Sequence, residues 1–340
     1  MCTNCVLPAS FPNIAYDENG VCNFCRNETF SLTEASVIDR ARAEVETMFS
    51  NIAREGDYDA IACFSGGKDS TYTLQLATKK YGLKVLAFTL DNGFISNVAF
   101  KNINRVVDFL GIDHIVFRPS QPKMKSILKA STLFPIYNRR TLLRISANCQ
   151  SCISMVNITA LKLALEKKAP LILAGFTLGQ IPANSIYYQN NYNFLAESRE
   201  KSLQKLREYT DCDIEEYFSI SDATLNSVNE FPFNVNILCL ENISEDDIVK
   251  EISQYGWKAP KDVDGCSSNC RLNSFNNMVH NKSLGYNPYA LELSHLIRKG
   301  LLSRQQAIDK MNDTQERQHD SIMTNLGITQ KQLEKVSSIY

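Results

Sequence analysis

No stretch of this 340-residue sequence stays apolar for the roughly 20 residues that a bilayer-spanning helix needs. Residues 1–10 offer neither a basic start nor an apolar core, so they do not read as a secretory leader. The expectation is a cytoplasmic chain with no membrane partner. Excess charge is missing too, since 36 Lys and Arg against 37 Asp and Glu leave a formal charge of -1. That excludes a uniformly basic nucleic-acid surface but leaves room for a local basic patch. Histidine is sparse. His114, His280, His295 and His319 lie far apart, without the spacing of a catalytic triad or a metal site. No GxxxxGK[ST] occurs, which excludes a Walker-type phosphate loop. Internal repeats and low-complexity runs are absent as well.

Cysteine is the exception. Eleven are many for a chain read as cytoplasmic, where metal or catalytic use outranks a disulfide framework. Cys2, Cys5, Cys22 and Cys25 form two CxxC pairs, separated by a spacer with two prolines and an Asn-Gly turn. Each pair supplies two sulfurs from one tight turn, the pattern of a tetrahedral structural zinc site; one iron on the same four thiolates stays open. Cys149 and Cys152 form a further CxxC, and Cys266 and Cys270 sit in "DGCSSNCRLN". Cys63 and Cys239 lie in apolar runs and read as buried small hydrophobes. Cys212 is assigned no role.

After a helix expected over residues 32–54, with "SLTE" as its capping box, strands and helices alternate. The strands are "DAIACF", "LKVLAFTL", "DHIVFRP" and "PLILAGF", and the segments between them have helical periodicity. This order predicts an α/β fold with a doubly wound parallel sheet covered on both faces. Residues 185–260 read as mostly helical with one strand at "FNVNILCL", and 288–340 as amphipathic helices.

Ser65-Gly66-Gly67-Lys68-Asp69-Ser70 falls where the first strand ends and a helix begins. The glycines let the backbone turn tightly, the serines add donors, and the helix start favours an anion. SGGKDS resembles the PP-loop of the N-type ATP pyrophosphatase superfamily, within the HUP-like folds. The resemblance implies an enzyme that adenylates a substrate oxygen and releases pyrophosphate. It places ATP on Ser65–Ser70, Mg²⁺ near Asp69, the adenosine near Asp91-Asn92-Gly93, and Gly175-Phe176-Thr177 at the same sheet edge. The usual acidic pair of that last loop is replaced by "GFTLGQIP". On this reading residues 1–27 are a zinc knuckle and 28–184 the PP-loop ATP-binding domain. Residues 185–340 are a helical extension that completes the active site through 264–273.

The second CxxC admits several readings: a redox dithiol, half of a Zn²⁺ site, two ligands of an iron–sulfur cluster, or coincidence. Its surroundings narrow them. Residues 115–165 contain no acid, but do contain Arg118, Lys123, Lys125, Lys129, Arg139, Arg140, Arg144 and Lys162. Such a segment is expected to lower thiol pKa values and attract an anion, helped by the helix that the pair opens. A [4Fe–4S] cluster on three thiolates needs one more cysteine and leaves one iron open. Here the chain resembles the iron–sulfur-dependent PP-loop enzymes that thiolate tRNA, with a zinc knuckle, a PP-loop, a CxxC and one distant cysteine. That resemblance puts a [4Fe–4S] cluster on Cys149, Cys152 and Cys270, with Cys266 as the alternative third ligand. It implies a sulfurtransferase fed by sulfide or a desulfurase. The acceptor is then tRNA or, given the charge of -1, a small nucleotide-like or other anionic molecule. The opening "CTNCVLPASFPNIAYDENGVCNFC" also resembles N-acetyl sugar amidotransferases, which take ammonia from a partner glutaminase. The superfamily resemblance allows a homodimer.

Overall fold

The computed structural model describes residues 1–52 and 56–340; of the side chains in 28–33, 194, 196, 198–202 and 338 nothing is said. The first long helix is α1, Glu28–Ser50, earlier than the 32–54 expected. Ser31, expected to open the capping box, falls inside the first turn of this helix rather than at its N-cap, and positions 53–55 of the expected helix lie outside the described residues.

Six strands make one sheet: β1 Ala60–Cys63, β2 Val85–Leu90, β3 Asp113–Phe117, β4 Leu171–Leu173, β5 Tyr187–Gln189 and β6 Phe233–Val235. Their spatial order is β3-β2-β1-β4-β6-β5. All neighbouring pairs are parallel except β5 with β6. Parallel strands buried on both faces read as unbroken apolar runs, and β1, β2 and β4 do so. The doubly wound parallel sheet expected from the alternation is present. The antiparallel edge strand β5 was not anticipated. It is three residues of "YYQ" beside polar loops, too short for a period-2 signal to emerge.

Helices cover the sheet. In chain order they include α2 Lys68–Gln75, α3 Asn97–Leu110, α4 Gln121–Leu133, α5 Ala147–Lys167, α6 Tyr192–Tyr209, α7 Glu245–Ser253, α8 Asn273–Leu284, α9 Ala290–Arg298 and α10 Arg304–Asn312. One core joins β1, β2 and β4 to α2, α3 and α7 through Phe64, Leu74, Ile103 and Trp257. On the opposite face Ile61, Phe88 and Ile172 pack against Ala160, Leu161 and Ala164 of α5. The strand order turns from β1 towards β2 on one side and β4 on the other, so β1 marks the topological switch point. Crevices outside the carboxyl ends of such strands take ligands.

The N-terminal knuckle is seated on the C-terminal helices rather than standing free. Phe11 meets Tyr286 edge to face at 5.1 Å, and Leu7 is buried beside Leu291 of α9. Arg304, which opens α10, donates from Nε to the carbonyl of Cys5 at 3.0 Å. The knuckle thereby holds α9 and α10 in place. No helix among the described residues is long and apolar enough to cross a membrane.

Candidate active site

The Ser65–Ser70 loop follows β1. Gly66 has φ +76°, and a Cβ on it would lie 2.6 Å from the Ala99 carbonyl of α3, so only glycine fits. The Gly66 carbonyl accepts the indole N–H of Trp257, the only tryptophan of the chain, at 3.0 Å. Ser65 and Ser70 hydroxyls meet across the loop at 3.1 Å. Gly67 is the N-cap of α2 and has no side chain with which to cap the N–H groups of its first turn. Gly175, after β4, packs so tightly that a Cβ would stand 3.0 Å from the Ser70 nitrogen. Lys68 lies 2.8 Å from Asp69 and 3.8 Å from Glu245. Burial opposes its charge, but Asp69 and Glu245 outweigh that and raise its pKa. Its ammonium stays charged, held between these two carboxylates.

A cavity of about 840 Å³ opens at the carboxyl end of the sheet. It is lined by Ser65, Gly67, Lys68, Asp69, Ser70 and Gly175, and equally by Cys149, Cys152, Cys266 and Cys270. Its size suits a nucleotide together with a second small molecule. Asp91 is not on this wall. Its Oδ1 accepts the Gly93 N–H at 2.9 Å and its Oδ2 lies 3.3 Å from Arg118, so it shapes the turn. Its neighbour Asn92 faces the cavity instead. Cys63, read as a plain core hydrophobe, also reaches the cavity wall from the last position of β1.

Three cysteines gather around amides. Ser146 caps α5, so Cys149 stands in the first turn of that helix, and Cys152 follows one turn on. The Asn92 amide is placed to donate to Cys152 Sγ at 3.7 Å and to Cys270 Sγ at 3.8 Å. Asn276 of α8 donates to Cys149 Sγ at 3.5 Å. Cys266, on the same loop as Cys270, turns its thiol to the Lys310 carbonyl at 3.6 Å. The shared donor therefore ties Cys270, not Cys266, to the CxxC.

The expected lowering of the thiol pKa values is not what the structure has. Burial pushes Cys149 and Cys152 up and takes Cys270 to about 12. The cations of the acid-free segment are spent elsewhere. Lys123 pairs with Glu216, Arg118 with Asp91, and Lys162 bonds the Glu216 carbonyl. Acids absent from the segment arrive from other parts of the chain. Of its cations only Arg144 lines the cavity.

Asn273 and Asn276 gave no signal in the sequence and look like ordinary surface amides until the fold buries them; Asn92, singled out only as an adenosine neighbour, also bonds two of the cysteines. Asn273 accepts from the Tyr289 hydroxyl at 3.0 Å and donates to both oxygens of Asp264. Glu292 of α9 accepts from Thr177 at 2.7 Å, and burial raises its pKa to about 7. The "GFTLGQIP" loop, lacking its own acids, receives this one from the C-terminal region.

The N-terminal quartet is a separate centre. The Sγ atoms of Cys2, Cys5, Cys22 and Cys25 all lie within 4.8 Å of one another, the one such ligand group among the described residues. Against burial, the N–H groups of Cys5, Cys22 and Asn4 hold the Cys2 thiol down at about 7, while burial lifts Cys25 to about 11. Four sulfurs converging this closely fit one tetrahedral ion. Cys149, Cys152 and Cys270 are not gathered in this way, so the two centres differ in kind.

No protein-family model matches the chain. Over 117 residues it is 29% identical to the uncharacterized protein MJ1599 of Methanocaldococcus jannaschii; the match spans 34% of this chain and 41% of that protein. Among solved structures it is similar to the U34-tRNA thiolase NcsA of Methanococcus maripaludis with its [4Fe-4S] cluster. There the identity is 14%, the coverage 83% of this chain and 80% of that one, and the TM-score 0.37. It is also similar to the NMN synthetase of Francisella tularensis, at 12% identity, 85% and 95% coverage and a TM-score of 0.37.

Proposed function

We propose that the chain is a PP-loop enzyme that uses ATP to replace a substrate oxygen with sulfur. The observation that carries the reading is that the phosphate loop and Cys149, Cys152 and Cys270 line one cavity. Ser65, Gly67, Lys68 and Ser70 would hold the ATP phosphates, with the Asp69 carboxylate for Mg²⁺. The substrate oxygen bonds to the α-phosphorus, the α–β anhydride breaks, and pyrophosphate leaves against the loop. Sulfur then bonds to the activated carbon, the carbon–oxygen bond breaks and AMP departs, with no net oxidation.

Cys149, Cys152 and Cys270 fit a [4Fe–4S] cluster because each would bind its own iron, so their sulfurs need not crowd as the quartet's do. When bound, the cluster supplies an iron with no protein ligand, open to sulfur. The amides of Asn92 and Asn276 supply N–H···S bonds that stabilise thiolate charge. Cys2, Cys5, Cys22 and Cys25 would hold Zn²⁺ as a structural ion.

Away from Lys68 and Asp69, Arg144 is the one charged residue described on the cavity wall, among the amides of Gln150, Asn157, Asn184, Asn234 and Asn236. A polyanionic strand needs rows of Lys and Arg, so this wall favours a small acceptor over tRNA. The same wall supports a second reading, an N-acetyl sugar amidotransferase, since amides suit sugar hydroxyl and acetamido groups. Both readings predict AMP and pyrophosphate from ATP, and ADP as product would overturn them together. Isotope-labelled sulfide against labelled ammonia, each supplied with ATP and a candidate sugar or nucleoside, separates the two by which label enters the product.

A further inference from the structure

Helix α2 receives no cap from its own N-cap residue, Gly67. The N–H of Lys68 in its first turn instead donates to Ser268 Oγ at 3.0 Å, from 200 residues along the chain. The hydroxyl sits so close that a Cβ on Gly67 would lie 2.8 Å from it. A neutral oxygen thus stands where the start of α2 would present its N–H to an anion. A second tie is charged. Lys310 bonds the Gly265 carbonyl at 3.3 Å and Glu245 at 2.8 Å, and Glu245 in turn lies 3.8 Å from Lys68 Nζ. Both ties end on groups that an incoming pyrophosphate would claim.

The other end of this loop carries Cys270. Its N–H donates to Ser267 Oγ at 3.2 Å, and its backbone pairs with Ile95 in an antiparallel bridge. The Asn269 carbonyl accepts the Ser96 N–H at 2.8 Å. A single residue, Asn269, therefore separates a hydroxyl on the phosphate loop from a thiol at the sulfur centre.

We infer that Ser268 is a phosphate-binding residue, and that through it nucleotide occupancy controls the environment of Cys270. The inference rests on the reading of residues 65–70 as a nucleotide phosphate loop. When the anion arrives, the Lys68 N–H turns to it. The Ser268 hydroxyl, released from accepting that N–H, donates to the same phosphate. Lys68 Nζ follows and leaves Glu245 to Lys310. Residues 264–270 change their partners at one end, and Cys270 registers the change at the other. The coupling is reciprocal, so occupation of the cysteine centre alters nucleotide affinity by the same factor.

The test measures Mg-ATP affinity by calorimetry and Cys270 alkylation by peptide mass spectrometry, with and without ATP. Ser268→Ala is expected to weaken ATP binding about tenfold, the loss of one hydrogen bond to a charged group. In wild type ATP changes the Cys270 alkylation rate several-fold; in Ser268→Ala it does not. Ser267→Ala keeps the hydroxyl on the phosphate loop but removes the acceptor of the Cys270 N–H. It should shift the basal Cys270 rate and leave ATP affinity unchanged. Wild-type affinity in Ser268→Ala overturns the binding role, and an ATP response that survives there overturns the coupling. Wild type that binds no ATP overturns the phosphate-loop reading itself, and this inference with it.

Discussion

Gly66→Ala tests the proposed phosphate loop at its tightest point. The residue sits at φ +76°, and holding an alanine in that left-handed region costs about 1–2 kcal/mol. The new Cβ would also stand 2.6 Å from the Ala99 carbonyl and 2.7 Å from Ile103 Cγ1. A helix carbonyl cannot swing aside as a flexible side chain can, so overpacking adds about 1–3 kcal/mol. The total is about 2–5 kcal/mol. If the strain stays in the folded chain, the unfolding free energy from urea denaturation falls by that amount. If the loop moves off α3 to relieve it, the same energy appears as a loss of ATP affinity, roughly 30- to 4,000-fold. Gly82→Ala is the control, because it has φ +62° and nothing within 4 Å of the added Cβ. It carries the conformational cost alone, so the difference between the two variants is the steric part. Chemical denaturation and calorimetry with Mg-ATP read both quantities. A Gly66→Ala protein that melts no lower than Gly82→Ala and binds ATP like wild type would refute the reasoning.

Three further predictions follow from contacts around the same site. Because Trp257 is unique and bonds the Gly66 carbonyl, Mg-ATP should shift its fluorescence; Trp257→Phe orphans that carbonyl and should cost about 1–3 kcal/mol in denaturation. Glu292 has its folded pKa raised to about 7, so its stabilising contribution is complete below the ordinary glutamate value of 4.5 and is lost as pH rises through 7. Urea midpoints of wild type should therefore fall between pH 5 and 8 more than those of Glu292→Gln, and parallel curves would contradict the assignment. Stripping the metal from the Cys2, Cys5, Cys22 and Cys25 site should release one ion per chain and loosen the seat of Arg304 on the knuckle. Proteolysis within 285–312 would accelerate, while the sheet stayed protected in hydrogen exchange.

The parallel sheet was legible because its strands are buried on both faces and read as apolar runs. The tight turn between β1 and α2 was legible because its glycines answer a backbone need that local sequence records. Strand β5 and the amides around the cysteines were not. Asn92 and Asn276 reach the cysteines only when segments 60 to 178 residues apart meet, and an asparagine carries no sign of that in its neighbours. The charge argument failed for the same reason. Residues 115–165 are free of acid in sequence, yet Glu216 and Asp91 reach Lys123 and Arg118 in space. What the CxxC did record correctly was its helix: Cys149 and Cys152 occupy the first two turns of α5, facing the cavity.

The account stands on Cys149, Cys152 and Cys270 forming one centre beside the phosphate loop, apart from the N-terminal quartet. Metal analysis of anaerobically purified protein, with and without substitution of those three cysteines by serine, tests it most directly. The account predicts about four irons and one zinc per wild-type chain, and loss of the iron alone in the triple variant. A colourless wild-type protein containing zinc and no iron would contradict it.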